Sequence, residues 1–298
     1  MTRIGKLVVI GVGLIGGSFA LAMKRSGVAE TVVGVGRGRS NVEAAQRLGI
    51  VDRALVLTEG WTAELDDADL VFLATPVGQM SSLFAAIAPY LGPQTVVTDA
   101  GSTKQDVVAA ARTQLGSALP RFVPGHPIAG TEHSGATAAF DGLFRDKQVV
   151  LTPLPETDAT AFTRVAECWR RCGATVRRLD AARHDAILSA VSHLPHALAF
   201  ALIADLAARP DAEECFDLAG TGLRDFTRLA SSHPDMWRDI CLANRDALRR
   251  DLAAYRDRLE RIDALLDARD GEALLALFTR AHSARDAWIE RQSGGDEV

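Results

Sequence analysis

The pattern of apolar positions along the chain changes near residue 180. Before that point, short apolar runs rich in β-branched residues alternate with Ala- and Leu-rich stretches such as 17–26 and 80–91. Most of these runs are apolar at consecutive positions, which is typical of parallel strands covered on both faces. The predicted strands are 6–10, 31–35, 70–74, 95–98, 121–123, 148–151 and 175–178. The alternation predicts a doubly wound parallel α/β domain over residues 1–180.

After residue 180 the strand pattern disappears. Apolar residues recur at helical spacing over 184–208, 236–268 and 272–291, with few Gly or Pro. Long helices with a broad apolar stripe and short loops often pack against a second subunit. The sequence therefore predicts a helical domain over 181–291 that forms a homodimer, followed by a frayed tail over 292–298.

Composition and charge exclude several classes of protein. Of 298 residues, 48% are hydrophobic and 24% charged, as in ordinary globular proteins, and the net charge is -5. That charge gives no reason to expect nucleic acid or an anionic membrane as a partner. No uninterrupted apolar run reaches the roughly 18 residues of a membrane span. With no leader pattern and four scattered cysteines, at 168, 172, 215 and 241, we expect a cytoplasmic protein with reduced thiols.

A glycine-rich motif follows the first predicted strand and opens a helix. In Gly11-Val-Gly-Leu-Ile-Gly16, the first glycine allows a tight turn, the second admits a pyrophosphate, and the third permits close helix–strand packing. The alternative is a glycine-rich turn without a ligand. We favour a dinucleotide site. The residues assigned to it are Gly11, Gly13, Leu14, Ile15, Gly16, Thr75, Pro76 and Ser102.

The end of the second strand bears on which dinucleotide is bound. Folds that bind NAD usually place an acid about 20 residues beyond the motif, where it bonds the ribose 2′-hydroxyl. Here the chain reads Gly36-Arg37-Gly38-Arg39-Ser40, without an acid. Arg37, Arg39 and Ser40 can bind a 2′-phosphate. The sequence favours NADP and leaves NAD possible; surface arginines are the alternative.

The densest group of polar residues lies in the segment 125–135. It sets His126, Thr131, Glu132 and Ser134 among glycines and a proline, after the apolar run 122–124, which we interpret as a strand end. Such a segment is more typical of a small-molecule site than of a surface loop. Ser102 and Thr103 follow another strand, and we expect them near the nicotinamide because ligands bind at the carboxyl ends of parallel strands. Ser102 is also a candidate cap for the next helix.

Two further candidate sites lie in the helical half. His193 and His196 stand three residues apart and share a helix face, with Pro195 between them expected to kink the helix. They suit substrate contact; metal binding and ordinary burial are the alternatives, and no other ligand has the spacing of a metal site. Arg224 and Arg228 lie in a glycine-containing segment, where a guanidinium can bind a carboxylate or form a surface ion pair.

Five motifs in the same order resemble the prephenate/arogenate (cyclohexadienyl) dehydrogenase family. The resemblance covers roughly residues 5–290 and rests on the glycine motif through Ser18, Asp99-Ala-Gly-Ser-Thr-Lys104, Gly125–Gly135, Ser192-His-Leu-Pro-His196 and Arg224-Asp-Phe-Thr-Arg228. It implies a Rossmann-type domain followed by an all-α dimerisation domain. It also implies oxidative decarboxylation of prephenate or arogenate in tyrosine biosynthesis, with hydride transfer to a nicotinamide cofactor.

The resemblance also implies roles for single residues. His126 matches the base that takes the proton of the ring hydroxyl, and Ser102 matches a serine that orients this histidine and the hydroxyl. His196 and Arg228 match substrate-binding positions, with Arg228 the candidate for a carboxylate, and His193 is grouped with them. Thr131 and Glu132 match residues at the mouth of the site, where Glu132 pairs with an arginine or favours an ammonium group.

Two other functions are weighed against this one. A β-hydroxyacid or imine dehydrogenase of the same two-domain plan typically uses a catalytic lysine in the interdomain helix, and 184–208 contains no lysine. A non-catalytic dinucleotide sensor would not need His126, Ser102, His196 and Arg228 together. The sequence does not choose between prephenate and arogenate.

Overall fold

The structure, a computed structural model, describes residues 3–131 and 133–293. These residues form two compact units, the first ending at Leu248 and the second beginning at Arg249. The predicted boundary at 180/181 stays a prediction. Glu132 and most of the predicted tail lie outside the described residues.

A six-stranded parallel sheet lies at the centre of the first unit. Its strands are β1 (Ile4–Ile10), β2 (Ala29–Gly36), β3 (Arg53–Val56), β4 (Leu70–Leu73), β5 (Val96–Asp99) and β6 (Phe122–Val123). They lie in the order β3-β2-β1-β4-β5-β6, with Val8 of β1 paired to Val33 and Val71 of its neighbours. The topology reverses between β1 and β4, which is where doubly wound sheets bind ligands.

Helices cover both faces of this sheet. They are α1 (Leu14–Arg25), α2 (Arg39–Arg47), α3 (Met80–Ile87), α4 (Gln105–Gln114) and α5 (Ala159–Arg171). On one face, Trp169 is fully buried, with ring centroids 4.8 Å from Phe19 and 5.1 Å from Phe144. On the other, Phe84 packs edge-on against Phe122 at 5.1 Å. The two cores account for the continuous apolar strands, since neither sheet face meets water.

A second, three-stranded sheet follows, and it corrects the expectation of one continuous sheet. It consists of β7 (Gly125–Pro127), β8 (Gln148–Leu151) and β9 (Thr175–Arg178), with β7 antiparallel and β9 parallel to β8. The chain leaves the first sheet at Pro124, which has no N–H to extend the β6 ladder. His126 thus lies on a strand, opposite Val150, that the sequence did not predict.

Two elements next to the cofactor motif were missed, and one predicted helix is divided. The edge strand β3 and the short helix α2 were not predicted, because β3 has only four residues, begins at a charged arginine and gives a weak apolar signal. The predicted helix 236–268 is α10 (Pro234–Ala243) and α11 (Arg245–Asp267). They part at Asn244, whose ψ of 31° is not helical.

The helical half of the first unit begins with a long apolar stretch. It comprises α6 (Ala181–Leu188), a π-helical turn over Ser189–His193 and α7 (Leu194–Ala207). Pro195 falls in the first turn of α7, where the widened π-turn accommodates its missing N–H. Two short helices follow, α8 (Ala212–Asp217) and α9 (Thr221–Thr227), and then α10.

By length and composition alone, Ala181–Ala207 could cross a membrane, although the sequence analysis expected no span. Its mean hydropathy is 1.7, and 22% of the tested window is buried in the chain. The buried residues in its first half include His184, Asp185, Ser189 and His193, which point into the protein. In α7 only Ala199 is fully buried, so this helix keeps apolar surface open in the single chain.

The second unit consists of the rest of α11 and of α12 (Gly271–Ser293), joined by a turn in which Arg269 has a φ of 51°. Among its described residues, Leu265 is the one buried side chain. Large apolar side chains stand exposed on both helices: Leu252, Leu259, Leu266, Leu275, Phe278 and Trp288. Two helices that bury so little of their own surface need a covering partner to be stable.

Candidate active site

A buried carboxylate at the end of β5 joins the two sheets. The Asp99 Oδ2 atom accepts hydrogen bonds from the Gly101 N–H (2.7 Å) and the Lys104 ammonium (2.6 Å). Its Oδ1 accepts one from the Gly125 N–H at 3.0 Å. Both charged side chains are fully buried, where a charge needs pairing and hydrogen bonds to be tolerated. Asp99 therefore holds the loop 100–104 against the strand that carries His126.

His126 is the first member of a chain of three side chains. Its Nδ1 lies 2.9 Å from Nε2 of His184, and Nδ1 of His184 lies 2.7 Å from a carboxylate oxygen of Asp185. His184 and Asp185 are buried on α6. Neither residue was predicted from the sequence, although two adjacent polar residues at the buried start of an apolar helix are a signal of a structured polar site.

The Asp185 carboxylate also caps α4. It accepts hydrogen bonds from the backbone N–H groups of Lys104 (2.8 Å) and Gln105 (2.9 Å). The candidate cap by Ser102 is not formed, because Lys104 is the N-cap residue and the N–H groups of Lys104 and Gln105 donate to Asp185 instead. Burial raises the pKa of Asp185, but the hydrogen bonds from His184, Gln105 and Lys104 outweigh this, and the pKa is lowered. Asp185 is thus a carboxylate at neutral pH.

These contacts set the tautomers of both histidines. An ionised carboxylate only accepts, so His184 must donate its Nδ1–H to Asp185. Burial lowers the pKa of His184, so its ring is neutral and its Nε2 is an acceptor. His126 therefore donates its own Nδ1–H to His184. The lone pair of His126 remains on Nε2, the atom turned away from this chain.

His126 itself is held neutral. Burial lowers its pKa well below the ordinary 6.5, and the neighbouring His184, Lys104 and His193 lower it further. A neutral imidazole with one nitrogen fixed as donor and the other as acceptor has the form that a general base needs. Ser102 lies half-buried in the loop held by Asp99, and its hydroxyl makes no hydrogen bond within the described residues.

The second group of predicted site residues collects around Trp237 of α10. The His196 ring stacks on Trp237 with centroids 3.5 Å apart and planes inclined by 18°. Its Nδ1 donates to the Ser192 carbonyl at 2.9 Å, which leaves Nε2 as an acceptor. Burial lowers the pKa of His196, and the nearby positive charge of Arg228 adds to this. The guanidinium of Arg228 is exposed and, within the described residues, has no ion-pair partner.

His193 is placed differently from His196. It is 1% exposed, and its Nδ1 lies 3.1 Å from the Asn244 amide nitrogen, which also donates to the Asp185 carbonyl at 2.8 Å. This placement favours a structural role for His193, and its contact with substrate stays a prediction. Asn244, which the sequence analysis missed, ties α10 to α6 from the break before α11.

Thr131 lies on the exposed stretch that follows β7. Its hydroxyl accepts a hydrogen bond from the His133 N–H at 3.2 Å. Its neighbour Glu132, predicted at the mouth of the site, lies outside the described residues. Among the residues that are described, no three His, Cys, Asp or Glu side chains are grouped as metal ligands.

The glycine motif fits a dinucleotide. Gly11 has a φ of 99°, and a Cβ there would lie 2.4 Å from the Ala74 carbonyl oxygen, whereas one at Gly13 would meet open space. The N-terminus of α1 has no side-chain cap and no acid in its first turn, so its N–H groups are available to phosphate. Beside Gly11, the buried Thr75 hydroxyl has no hydrogen-bond partner among residues 3–131 and 133–293. Pro76 is exposed next to it.

The predicted 2′-phosphate residues lie at the start of α2, all exposed. Arg39 pairs with Glu59 and, at 3.8 Å, with Glu43. Arg37 forms no ion pair with any residue that the structure describes, and Ser40 is exposed beside it. Arg37 is therefore the arginine available to a ligand, while Arg39 is already engaged by two acids.

Two family models match the chain. The first, described as the nucleotide-binding domain of prephenate dehydrogenase, matches residues 19–178. The second, described as its dimerization domain, matches residues 180–280. Together they span both the sheet-containing part and the helical part that the structure shows.

Known proteins resemble the chain over nearly its whole length. It is 33% identical to the cyclohexadienyl dehydrogenase of Zymomonas mobilis over 96% of both chains. The prephenate dehydrogenase of Bacillus subtilis is also 33% identical, over 97% of this chain and 77% of that protein. The crystal structure of Aquifex aeolicus prephenate dehydrogenase with hydroxyphenyl propionate and NAD+ superposes with a TM-score of 0.87 at 34% identity, covering 94% of this chain and 97% of that one.

Synechocystis arogenate dehydrogenase also matches in structure. It gives a TM-score of 0.80 at 29% identity, covering 95% of this chain and 99% of that one. This relative is named for arogenate, whereas the Bacillus subtilis and Aquifex aeolicus relatives are named for prephenate. Sequence, family models and structure agree, and the chain belongs to the prephenate dehydrogenase family.

Proposed function

We propose that this chain oxidatively decarboxylates prephenate, arogenate or both in tyrosine biosynthesis, with NADP preferred over NAD. The observation that carries the proposal is the chain from His126 through His184 to Asp185, which leaves a neutral Nε2 as base. Relatives named for prephenate, cyclohexadienyl and arogenate substrates support this substrate class.

In the proposed mechanism, His126 Nε2 takes the proton of the substrate's ring hydroxyl as oxidation occurs at the same carbon. A bound nicotinamide supplies the acceptor for the hydride. Carbon dioxide leaves as the ring becomes aromatic, which makes the reaction effectively irreversible. The imidazolium formed on His126 is stabilised through His184 by the Asp185 carboxylate, so the charge that develops is met by a prearranged anion. Ser102 orients the hydroxyl from its loop.

Substrate binding falls to the group around Trp237. Arg228 offers an exposed guanidinium for a carboxylate, and the neutral His196 offers an acceptor nitrogen beside it. Thr131 and Glu132 remain proposed at the mouth of the site. The choice between prephenate and arogenate depends on which side chain meets the substrate's keto or ammonium group, and an assay with both substrates and both cofactors decides it.

A β-hydroxyacid or imine dehydrogenase is the alternative that the site disfavours. Such enzymes need a lysine at the reacting carbon. Lys104 lies near His126, but its ammonium is fully buried and pairs with the Asp99 carboxylate at 2.6 Å. The site thus offers an imidazole base and no available lysine.

We also propose a homodimer formed through the helical part, in the cytoplasm. The apolar surface left open on α7, and the exposed apolar side chains of α11 and α12, call for a covering partner. A second copy is the partner that the matched dimerization domain supports. The free thiols fit a reducing compartment, and burial raises the pKa of Cys168 to about 12, which keeps it unreactive.

Replacing the base separates chemistry from binding. We expect His126→Asn to lower kcat by about 100- to 10,000-fold, the usual contribution of a general base, because the proton has no acceptor. NADP affinity, measured by fluorescence titration, should stay near the wild-type value. Arg228→Ala is the contrasting variant and should raise KM while leaving cofactor affinity unchanged. Wild-type turnover by His126→Asn rules out this base.

The pH dependence follows from the lowered pKa of His126. We expect kcat/KM to stay flat as the pH falls through 6.5 and to drop only well below that ordinary value, because protonation at the lowered pKa of His126 removes the base. The unfolded chain binds this proton more readily, so stability also falls in the acid range. To separate protonation of the base from irreversible acid unfolding, each acid sample is returned to neutral pH, where it should regain full activity. An acid limb with its midpoint above pH 6.5 contradicts the assignment.

Cofactor preference tests Arg37. Losing a charge-assisted contact to the 2′-phosphate costs about 1.5–3 kcal/mol, so Arg37→Ala should lower kcat/KM for NADP by about 10- to 100-fold. The value for NAD should hardly change, since NAD lacks that phosphate. Arg47→Ala, an exposed arginine in the last turn of α2, is the matched control. An equal effect of Arg37→Ala on both cofactors excludes it from the 2′-phosphate site.

The dimer is tested by mass in solution. Light scattering should give twice the chain mass of 31.8 kDa. Leu275→Asp with Phe278→Asp should shift the protein toward monomer or lower its stability, because both apolar side chains are exposed on α12 in the single chain. Leu48→Asp, at a position 55% exposed beside α2, should leave the dimer intact. A monomeric wild-type protein contradicts the proposal.

A further inference from the structure

Two residues at the end of the glycine motif pack against a distant part of the chain. Gly17 and Ser18 follow the fingerprint on α1 and are buried against another part of the chain, residues 135–140, which we call the docked segment. The Ser18 hydroxyl is fully buried and accepts a hydrogen bond from the Phe140 N–H at 3.0 Å. A Cβ at Gly17 would lie 2.8 Å from the Ala139 methyl, so the docked segment lies directly on this helix.

Asn41 holds the other end of the docked segment. Its Oδ1 accepts a hydrogen bond from the Ala136 N–H at 2.9 Å, and its Nδ2 donates to the Val12 carbonyl at 2.7 Å. Gly135 enters this contact with a φ of 86°, a conformation that favours glycine. One amide side chain thus bridges the docked segment and the glycine turn.

The docked segment continues from the strand of the proposed base. His126 lies on β7, the Ile128 N–H makes the next sheet contact to the Gln148 carbonyl at 2.8 Å, and Thr131 follows. The chain then reaches Gly135, where the docked segment begins. The stretch that leaves the base is therefore anchored at its far end on α1 and α2, the two helices that border the dinucleotide site.

We propose that Asn41 and Ser18 are positioning residues that couple the bound dinucleotide to the chain at the mouth of the substrate site. This rests on the proposed function for the identity of the substrate. Phosphate bound at the turn 11–16 fixes the backbone that carries the Val12 carbonyl, and Asn41 passes this restraint to Ala136. Cofactor then favours one placement of the docked segment and raises substrate affinity, and by linkage substrate raises cofactor affinity equally.

Binding of the reaction product measures the coupling without turnover. The affinity of 4-hydroxyphenylpyruvate is determined by calorimetry with and without saturating NADP+. We expect about a fivefold or larger gain in the wild type, the low end of typical coupling, and a gain near onefold in Asn41→Leu and Ser18→Ala. Substrate KM should rise in both variants while kcat changes little. Ser18→Ala should keep wild-type NADP affinity, because this hydroxyl is fully buried.

The matched control lies on the same helix. Gln46 on α2 also donates from its side-chain amide to a backbone carbonyl, that of Asp52 at 2.9 Å, away from the docked segment. Gln46→Leu should keep the full coupling. If Asn41→Leu and Ser18→Ala both keep it too, or if the wild type shows none, the proposal is wrong.

Hydrogen exchange tests the coupling independently of the proposed function, because the experiment needs only the dinucleotide and no substrate. NADP+ should slow exchange in the peptide covering 133–142 in the wild type and in Gln46→Leu, and should not do so in Asn41→Leu. Absence of added protection in the wild type overturns the coupling whatever the substrate is. Failure to turn over either prephenate or arogenate counts against the proposed function and leaves the exchange result standing.

Discussion

The buried carboxylate of Asp185 is the interaction on which the proposed site depends. It is 1% exposed and accepts from three donors: the His184 ring, the Lys104 N–H and the Gln105 N–H. Burying a charge costs several kcal/mol unless it is fully hydrogen-bonded, so these donors cannot move independently. The Asp185 side chain on α6 therefore fixes both the N-terminus of α4 and the orientation of the His184 ring.

Asp99 is a second buried carboxylate, and it holds the two sheets together. By binding Gly101, Lys104 and Gly125, it sets the loop of Ser102 and the start of the His126 strand in one arrangement. Lys104 belongs to both systems, since its ammonium pairs with Asp99 and its backbone with Asp185. The proposed base, His126, is thus positioned by two buried anions joined through one residue, and its neutrality follows from its own burial.

The sequence predicted those parts of the fold that depend on local pattern. Continuous apolar runs located most of the parallel strands, and the glycine motif located the dinucleotide turn, because both signals come from neighbouring residues. The change of sheet at Pro124 was not predictable, since strand partners are set by tertiary pairing, and the short strand that carries His126 was missed for that reason. The edge strand at 53–56 is too short and too polar to give a clear signal.

The site was predicted only in part for the same physical reason. His126, Ser102, His196 and Arg228 stand in recognisable motifs, but what fixes them is a set of contacts across long sequence distances. His184 lies 58 residues from His126, and Asp185 lies 81 from Lys104. Arg39, likewise, looked available in the sequence, and only the structure shows its acidic partner Glu59 from beyond β3.

The proposed mechanism requires that His126 keeps its proton on Nδ1 and its lone pair on Nε2. Nitrogen NMR of the protein labelled with [15N]histidine reads this tautomer directly at neutral pH, with the His126 signal assigned by its loss in His126→Asn. We predict a protonated Nδ1 and an unprotonated Nε2. A proton on Nε2, or a doubly protonated ring, would contradict the account.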